Sequence, residues 1–389
     1  MIFLLLFCSF FAYGQDFSQK TFTSGVRSSY FLVPNEWDNT FMYYIPEYSD
    51  ETFGDSVGLR RKFKVRVFDY VSSNEKVIVD PLDVSMEFFS NNNSFQVGFL
   101  RYQFSETFGL QLLDVANPRD YSEFIFNDLA WSKRSVFGVN DTYKWNNFQV
   151  QLIVTLWPNG DRLPYAGSAF DPTVGGAIHY QGGVVDRPWL KDLEYGSRFK
   201  YLMGNGVDLS FLYYHHFSRP TFQDIKITSA TQIKAESTNQ LVDSLGSSLS
   251  YVWDEWVVRA DALYTINDLV RKNILAYEVK NHFQILGGID RNFDNFSLGL
   301  QTQSDFTTDR HFFGVRSEYT HISWWKPSIM TFRNYQREDQ WFQIKNVFEL
   351  DEWKLAVIYD NINGGQTEQD LFGFYRDQDR ILFDASYTY

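Results

Sequence analysis

Cysteine is nearly absent from the 389-residue chain, and its position excludes two kinds of structure. The single cysteine, Cys8, lies in a stretch (residues 1–14) that has no charged side chain and is almost wholly apolar from Ile2 to Phe11. Small residues close this stretch, which predicts a signal peptide cleaved before Gln15; a buried core strand is the alternative. The mature chain would then have no thiol, which excludes a disulfide framework and a cysteine-ligated metal site.

Long apolar runs and an excess of positive charge are also lacking. After the first stretch, no run approaches the roughly eighteen uncharged apolar residues that a transmembrane helix requires. The net charge of -13 argues against a nucleic-acid partner. Aromatic residues nevertheless make up 19% of the chain. A closed β-barrel is the other arrangement that satisfies every backbone polar group within a membrane, so we expect an exported barrel in the outer membrane of a Gram-negative cell.

The strand pattern of such barrels recurs along the sequence. In the last segment, apolar side chains occupy alternate positions, at Ile381, Phe383, Ala385, Tyr387 and Tyr389. Because successive side chains of a strand point to opposite faces, this pattern gives one apolar face and one polar face. The same alternation begins near residues 148, 207, 296 and 353. The terminal aromatic, Tyr389, resembles the signal read by barrel-assembly machinery, so that machinery and outer-membrane lipid are the expected partners.

The lengths of the connections predict the number of strands. Counted back from the C-terminus, which is periplasmic in such barrels, short turns near residues 351, 292–294, 253–255, 204–206 and 91–93 alternate with longer connections. This count favours an all-β, transmembrane antiparallel barrel of about 16 strands across residues 57–389, with a first strand near 57–68. Residues 15–56 are then an N-terminal periplasmic segment, or an extra hairpin (25–32 and 41–45) that makes about 18 strands. A soluble β-sandwich or propeller is less favoured.

Four cations alternate along the first expected strand: Arg60, Lys62, Lys64 and Arg66. Their shared face should be the lumen, because a cation that faces lipid near the midplane costs about 2–4 kcal/mol. An electropositive ladder would attract anionic solutes. The favoured alternative is that Asp83 and Glu87, on one face of the next strand, neutralise part of this ladder through cross-strand ion pairs.

Residues 103–147 form a connection much longer than a hairpin needs, and such connections are usually functional. Polar residues concentrate there, at Asp114, Asn117, Arg119, Asp120 and Glu123. Asn117 and the following proline mark a turn and a candidate helix start. One hypothesis is that residues 114–134 fold into or across the barrel as a constriction, with Arg119 paired to a carboxylate. An outer loop with local salt bridges is an equally weighted alternative.

This connection resembles that of a known family. The sequence Leu113-Asp-Val-Ala-Asn-Pro-Arg-Asp120 resembles the Leu-Asp-Val-x-Asn-Pro-Arg-Asp core of an uncharacterised outer-membrane barrel family, described as a domain of unknown function. The segments 157–164 and 167–172 resemble a Leu-Pro and Phe-x-Pro region of the same family. Phe104-Ser105 stands where the family usually has Trp-Gly, so no narrow specificity is carried over. The resemblance implies an outer-membrane barrel, and it associates the chain with hydrophobic solutes.

The sequence therefore predicts a channel for passive diffusion of small solutes, hydrophobic or anionic. One alternative is a non-conducting structural or adhesion barrel that binds a partner through its outer loops, and a second is an outer-membrane hydrolase. The nearest approach to a catalytic set is His216 with Asp208 and Ser210, which lie too far apart along one strand for hydrogen bonding. No catalytic or metal-binding motif is recognisable, so we expect no enzyme activity, no cofactor and no metal.

Overall fold

The computed structural model describes residues 18–32, 36–54, 56–70, 77–107, 110–123, 132–158, 160–162, 178–180, 193–218, 224–229, 232–236, 240–273, 276–364 and 378–389. The expected signal peptide (1–14) lies outside these residues. In the part of the chain that is described, no helix is both long enough and apolar enough to cross a membrane.

Strands account for nearly all of the regular structure. In chain order they are β1 (Ser18–Phe31), β2 (Glu36–Phe53), β3 (Gly58–Tyr70), β4 (Ile78–Phe89), β5 (Asn93–Leu100), β6 (Val136–Trp145), β7 (Phe148–Trp157), β8 (Ile178–Tyr180), β9 (Glu194–Met203), β10 (Val207–Phe217), β11 (Asp224–Ser229), β12 (Gln232–Glu236), β13 (Leu241–Trp253), β14 (Trp256–Asn273), β15 (Ala276–Asn292), β16 (Phe296–Asp305), β17 (Arg310–Tyr319), β18 (Trp325–Asn334), β19 (Asp339–Leu350), β20 (Trp353–Gly364) and β21 (Arg380–Thr388).

Eighteen of these strands form one closed antiparallel barrel. Each barrel strand pairs with the next one along the chain, and β21 returns to β1 with Thr23 opposite Thr388. The three remaining strands, β8, β11 and β12, form a small separate sheet. The expected barrel is thus confirmed. The favoured count of sixteen strands was one hairpin short, because β1 and β2 form the extra hairpin that the sequence allowed, and β3 is the third strand instead of the first.

Short turns gather at the end of the barrel where β1 begins and β21 ends. Asn146, Asp254 and Asp351 begin two-residue turns there and adopt positive φ angles of 51°, 56° and 52°. Asparagine and aspartate tolerate this left-handed conformation better than other side chains, which explains why the sequence revealed the turns near residues 254 and 351. The turn at Asn146 was missed together with β6. Because the C-terminus of an outer-membrane barrel is periplasmic, we refer to this end as the periplasmic end.

The two faces of the wall differ in chemistry. Apolar and aromatic side chains cover the outside, and exposed aromatic residues stand beside periplasmic turns at Trp145, Trp253, Trp324, Trp353 and Tyr389. Such an aromatic girdle lies at the membrane interface of barrels that span a bilayer. The inner face is mostly polar. The outward apolar band therefore meets lipid, and the inward face lines a lumen.

The long connection after β5 is shorter than the sequence indicated. The expected insertion, 103–147, includes β6, which pairs with β5 and β7 as part of the wall. The adjacent pair Asn140-Asp141 hides this strand, because Asp141 occupies an outward position where the pattern demands an apolar residue. We use the name inserted segment for the described residues between β5 and β6, which are 101–107, 110–123 and 132–135. Its residues 118–123 are not helical, since Arg119 and Asp120 form isolated β-bridges with Lys133 and Arg162.

Candidate functional site

The inserted segment leaves the wall at the end of β5, and Asn117 ties its two ends together. The side-chain amide of Asn117 donates to the carbonyl oxygens of Leu100 (3.2 Å) and Arg134 (2.8 Å). Its carbonyl oxygen accepts the backbone N–H of Tyr102 at 2.6 Å. Leu100 ends β5 and Arg134 comes shortly before β6. Asn117 therefore satisfies the backbone at both points where the chain departs from the wall.

Asp114 fixes the turn inside the segment. Its carboxylate accepts the backbone N–H groups of Phe104 (2.5 Å) and Ser105 (3.0 Å) and forms an ion pair with Lys133. Burial lowers the pKa of Lys133, and the adjacent carboxylate of Asp114 opposes that shift. A buried carboxylate with three donors is well compensated. Asp114 and Asn117 are thus positioning residues for the segment backbone.

One edge of the segment is acidic and contacts cations of the wall. We call this ionic edge the latch, and it consists of Asp120 and Glu123. Asp120 accepts hydrogen bonds from Arg66 of β3 (3.2 Å) and from Arg162 (2.9 Å). Glu123 accepts one from Arg380 of β21 at 3.2 Å and lies 3.8 Å from Arg27 of β1. Both latch carboxylates are buried. The latch therefore holds the segment against the β21, β1 and β3 side of the lumen.

Each latch arginine also has a carboxylate partner on the wall. Arg66 and Arg162 both bind Asp80 of β4, at 2.7 Å and 2.5 Å. The equivalent partners of the other two arginines are Asp384 for Arg27 (2.6 Å) and Asp360 for Arg380 (3.0 Å). The four guanidinium groups are thus shared between the wall and the segment. Such sharing keeps the buried arginines compensated even if the segment moves.

The opposite edge of the segment is apolar. It packs on inward side chains of strands β5, β6, β7, β10, β14 and β15 in one buried cluster, whose members are Leu100, Tyr102, Phe104, Leu112, Leu113, Ala116, Val136, Ile153, Leu212, Tyr214, Leu263 and Leu286. Polar contacts extend this attachment: the Ser105 hydroxyl donates to Asp261 of β14, and Gln301 of β16 donates to the carbonyl of Leu110 at 3.0 Å. The segment thus reaches both sides of the barrel and crosses the lumen.

The position of Arg119 differs from the expectation. Its guanidinium donates to the backbone carbonyl of Gln111 at 3.3 Å, and among the described residues it forms no ion pair with a carboxylate. Only its backbone N–H contacts one, Asp161 at 2.7 Å. The neighbouring acids are already engaged by other cations. The described residues thus contain no Arg119–carboxylate pair, and among them the latch makes the ionic contacts between the segment and its arginine partners.

The four cations of the β3 ladder face the lumen, and every one of them has an acidic neighbour. The pairs are Arg60 with Glu51 and Glu87, Lys62 with Asp83 (3.6 Å), Lys64 with Glu47 (2.6 Å), and Arg66 with Asp80 and Asp120. Asp83 and Glu87 thus lie where the cross-strand alternative puts them, and β2 supplies two further carboxylates that the sequence reading missed. The four cations face five carboxylates of the wall. The ladder is therefore largely neutralised, and Lys62 has the longest contact to its carboxylate partner.

A cavity of about 600 Å³ lies between the inserted segment and the inner face of β3 to β7. Gln96 is the fourth residue of β5 and Gln151 the fourth of β7, so the cavity extends from the segment toward the periplasmic end. Most of its lining residues carry amide or charged side chains, while its exposed surface is divided about equally between polar and apolar atoms. Within the described residues, no group of three or more histidines, cysteines or acids is arranged to hold a metal ion.

The histidine considered for catalysis is a wall residue. His216 contacts neither Asp208 nor Ser210 in the described hydrogen bonds; its ring nitrogens bond the Ser244 hydroxyl (2.9 Å) and the carbonyl of Phe217 (2.8 Å). Ser244 is fully buried in the barrel wall. A hydroxyl without access to the lumen cannot attack a substrate, so this pair stabilises the packing of β10 against β13.

No protein-family model and no curated protein matches the sequence. The structure, in contrast, resembles several solved barrels. They include the outer membrane protein opdK from Pseudomonas aeruginosa (9% identity, 96% of this chain and 99% of that chain covered, TM-score 0.60) and OpdL from the same organism (9% identity, 96% and 98% covered, TM-score 0.59). OccAB2 from Acinetobacter baumannii is similar at 9% identity, with 96% and 98% covered and a TM-score of 0.58. The chain has the fold of an outer-membrane barrel.

Proposed function

We propose that the protein is an outer-membrane channel for passive diffusion of small hydrophilic solutes, with the inserted segment as its constriction. The observation that carries the proposal is the fixation of this segment across the lumen by the latch on one side and by an apolar cluster on the other. A barrel of eighteen strands encloses a wide lumen, and a segment held across it sets the passable width. The structural neighbours support the barrel architecture alone.

The polarity of the lumen favours hydrophilic cargo. The cavity beside the segment is bordered mainly by amides and charged groups, while the outward face carries the apolar surface. A hydrophobic solute in such a cavity would take water away from amides and charged groups without replacing its hydrogen bonds, which is unfavourable. This argument favours the hydrophilic alternative over the hydrophobic association that the Asn-Pro-Arg-Asp motif implies. Membership in the family with that motif stays a prediction, as does recognition of the Tyr389 strand by assembly machinery.

Two other roles are separated from a channel by experiment. A structural or adhesion barrel would bind a partner through its outer loops and would pass no current. A hydrolase would turn over lipid or peptide and lose that activity when His216 is replaced by Gln. The burial of the His216–Ser244 pair argues against the second role.

The test is single-channel recording of the refolded full chain in planar bilayers, with folding checked by heat-modifiable migration on gels. We expect stable current steps, and liposome swelling that falls off for sugars larger than a disaccharide because the segment limits the width. Uniform silence from protein that is shown to be folded would refute the channel and favour the structural barrel. Swelling that does not depend on solute size would contradict a constriction by the segment.

A further inference from the structure

We propose that the cavity beneath the inserted segment is a binding site for small anions that carry hydroxyl groups, the chemistry of a sugar acid. This inference deepens the proposed function by naming a solute class, and it rests on the barrel being a channel. We call this cavity the anion pocket. Its lining residues are Lys62, Leu82, Asp83, Gln96, Leu100, Arg101, Tyr102, Gln103, Gln111, Lys133, Asn140 and Gln151.

The charge of the anion pocket contrasts with that of the whole chain. Three cations line it, Lys62 on the wall and Arg101 and Lys133 on the segment, against one lining carboxylate, Asp83. Because Lys133 is also paired with Asp114, the cations exceed the carboxylates by one. The chain as a whole has a net charge of -13, so composition alone would not produce a positive cavity. A confined positive potential concentrates anions from solution.

Lys62 is the cation best placed to meet a solute. Its ammonium nitrogen lies 3.6 Å from the carboxylate of Asp83, beyond the usual length of a charged hydrogen bond, and 39% of the side chain is exposed. The other ladder cations form shorter contacts with their carboxylate partners. An entering carboxylate or phosphate can therefore bind Lys62 without breaking a tight ion pair.

The amides of the anion pocket explain why hydroxyl groups are expected on the solute. Five of the lining residues are glutamine or asparagine, at positions 96, 103, 111, 140 and 151. Gln151 donates to the side-chain oxygen of Asn140 at 2.9 Å, and Gln96 donates to the Ser85 hydroxyl at 3.1 Å. An amide has two N–H donors and a two-lone-pair acceptor, so capacity for hydrogen bonding is left on each side chain. Hydroxyl groups, which both donate and accept, match this capacity.

The size of the anion pocket fits such a solute. Pockets for small molecules occupy about 300–1,000 Å³, and this one measures about 600 Å³. A six-carbon sugar acid leaves room there for water, which suits a channel because tight binding would slow release.

The test is calorimetric titration of the detergent-purified full chain with gluconate, beside two comparison solutes: sorbitol, which has the hydroxyls without the charge, and acetate, which has the charge without the hydroxyls. We expect gluconate to bind at least several-fold more tightly than either. Lys62→Gln should weaken gluconate binding about tenfold, the effect of one charge-assisted hydrogen bond. Gln103→Leu, at an exposed lining position, should reduce the preference for gluconate over acetate.

Lys64→Gln is the matched control, because Lys64 lies on the same face of β3 but does not line the anion pocket. Its gluconate affinity should equal that of the wild type. Equal affinity for gluconate and sorbitol, or an unchanged affinity in folded Lys62→Gln, would overturn the proposal. Calorimetry does not require conduction. Binding by a barrel that is silent in bilayers would therefore refute the channel alone, whereas conduction without binding would refute the pocket alone.

Discussion

Removal of the latch charges should open the constriction without unfolding the barrel. The double variant Asp120→Asn, Glu123→Gln keeps the shapes of both side chains and deletes the charges that bind the wall arginines. Asp384 remains as the partner of Arg27 and Asp360 as that of Arg380, while Asp80 remains as the shared partner of Arg66 and Arg162, so each arginine keeps a carboxylate contact. The structural change in the double variant should therefore be confined to the inserted segment.

The size of the effect follows from these contacts. Loss of one partner from a buried ion pair costs about 3–5 kcal/mol when the remaining charge is stranded. Here the arginines keep a second carboxylate, so the loss approaches that of hydrogen bonds to a charged group, about 1.5–3 kcal/mol for each carboxylate. Two carboxylates together give about 3–6 kcal/mol, and each 1.4 kcal/mol is a factor of ten. The equilibrium between a latched and a released segment should shift by about two orders of magnitude or more.

The assay is single-channel recording of the double variant beside the wild type and Arg119→Ala. Larger or more frequent open steps are expected for the double variant. Arg119→Ala serves as the control within the same segment, because its guanidinium contacts only a backbone carbonyl among the described residues. Wild-type conductance in a folded double variant would refute the latch, and an increase in Arg119→Ala of the same size would show that any change to the segment suffices.

Three further predictions follow from the wall. The double variant Glu47→Gln, Glu51→Gln removes two carboxylates that neutralise the β3 ladder. Reversal potentials across a KCl gradient should therefore move toward anion selectivity. An unchanged reversal potential would contradict the neutralisation of the ladder by these carboxylates. Asp141→Leu removes from the outward face of β6 a buried carboxylate oxygen that has no hydrogen-bond partner among the described residues. This variant should stabilise the barrel by about 1–3 kcal/mol in urea titrations, whereas a loss of stability would indicate a partner for that group. Gly246→Val puts a Cβ 2.8 Å from a methyl group of fully buried Leu113. This variant should lower the stability of the barrel by about 1–3 kcal/mol and alter its conductance. Wild-type stability and conductance would show that the apolar edge of the inserted segment adapts easily.

The sequence was sufficient for the barrel because each strand carries the signal separately. Alternating side chains and the turn residues at 254 and 351 are local features, so they survive without knowledge of the partner strands. The signal failed where a polar residue occupied a lipid-facing position. Asp141 concealed β6, and the first hairpin was only an alternative because β1 contains several serines and threonines.

The candidate site was predictable in part. The residues of the inserted segment stood out by composition, and their sequence spacing marked Asp114, Asn117, Asp120 and Glu123 together. The arginine partners of these residues could not be predicted. Arg27 lies 96 residues before Glu123 and Arg380 lies 257 residues after it, and only the closure of the barrel brings the three together. The choice of Arg119 over the latch acids reflects the same limit: a sequence shows which charges are near in the chain, and the register of the barrel decides which are near in space.

Charge selectivity of this lumen should depend on pairing distances more than on the number of cations. The ladder on β3 has the sequence pattern of an anion filter, yet tight carboxylate partners cancel the field of Arg60, Lys64 and Arg66. Lys62 differs, because its partner lies 3.6 Å away and because it lines the cavity beneath the inserted segment. A pair held at a longer distance presents a larger dipole to the solute than a tight pair does, and its cation can turn toward the solute at a lower cost. One lysine of the four should therefore account for most of the attraction that the ladder exerts on a passing anion.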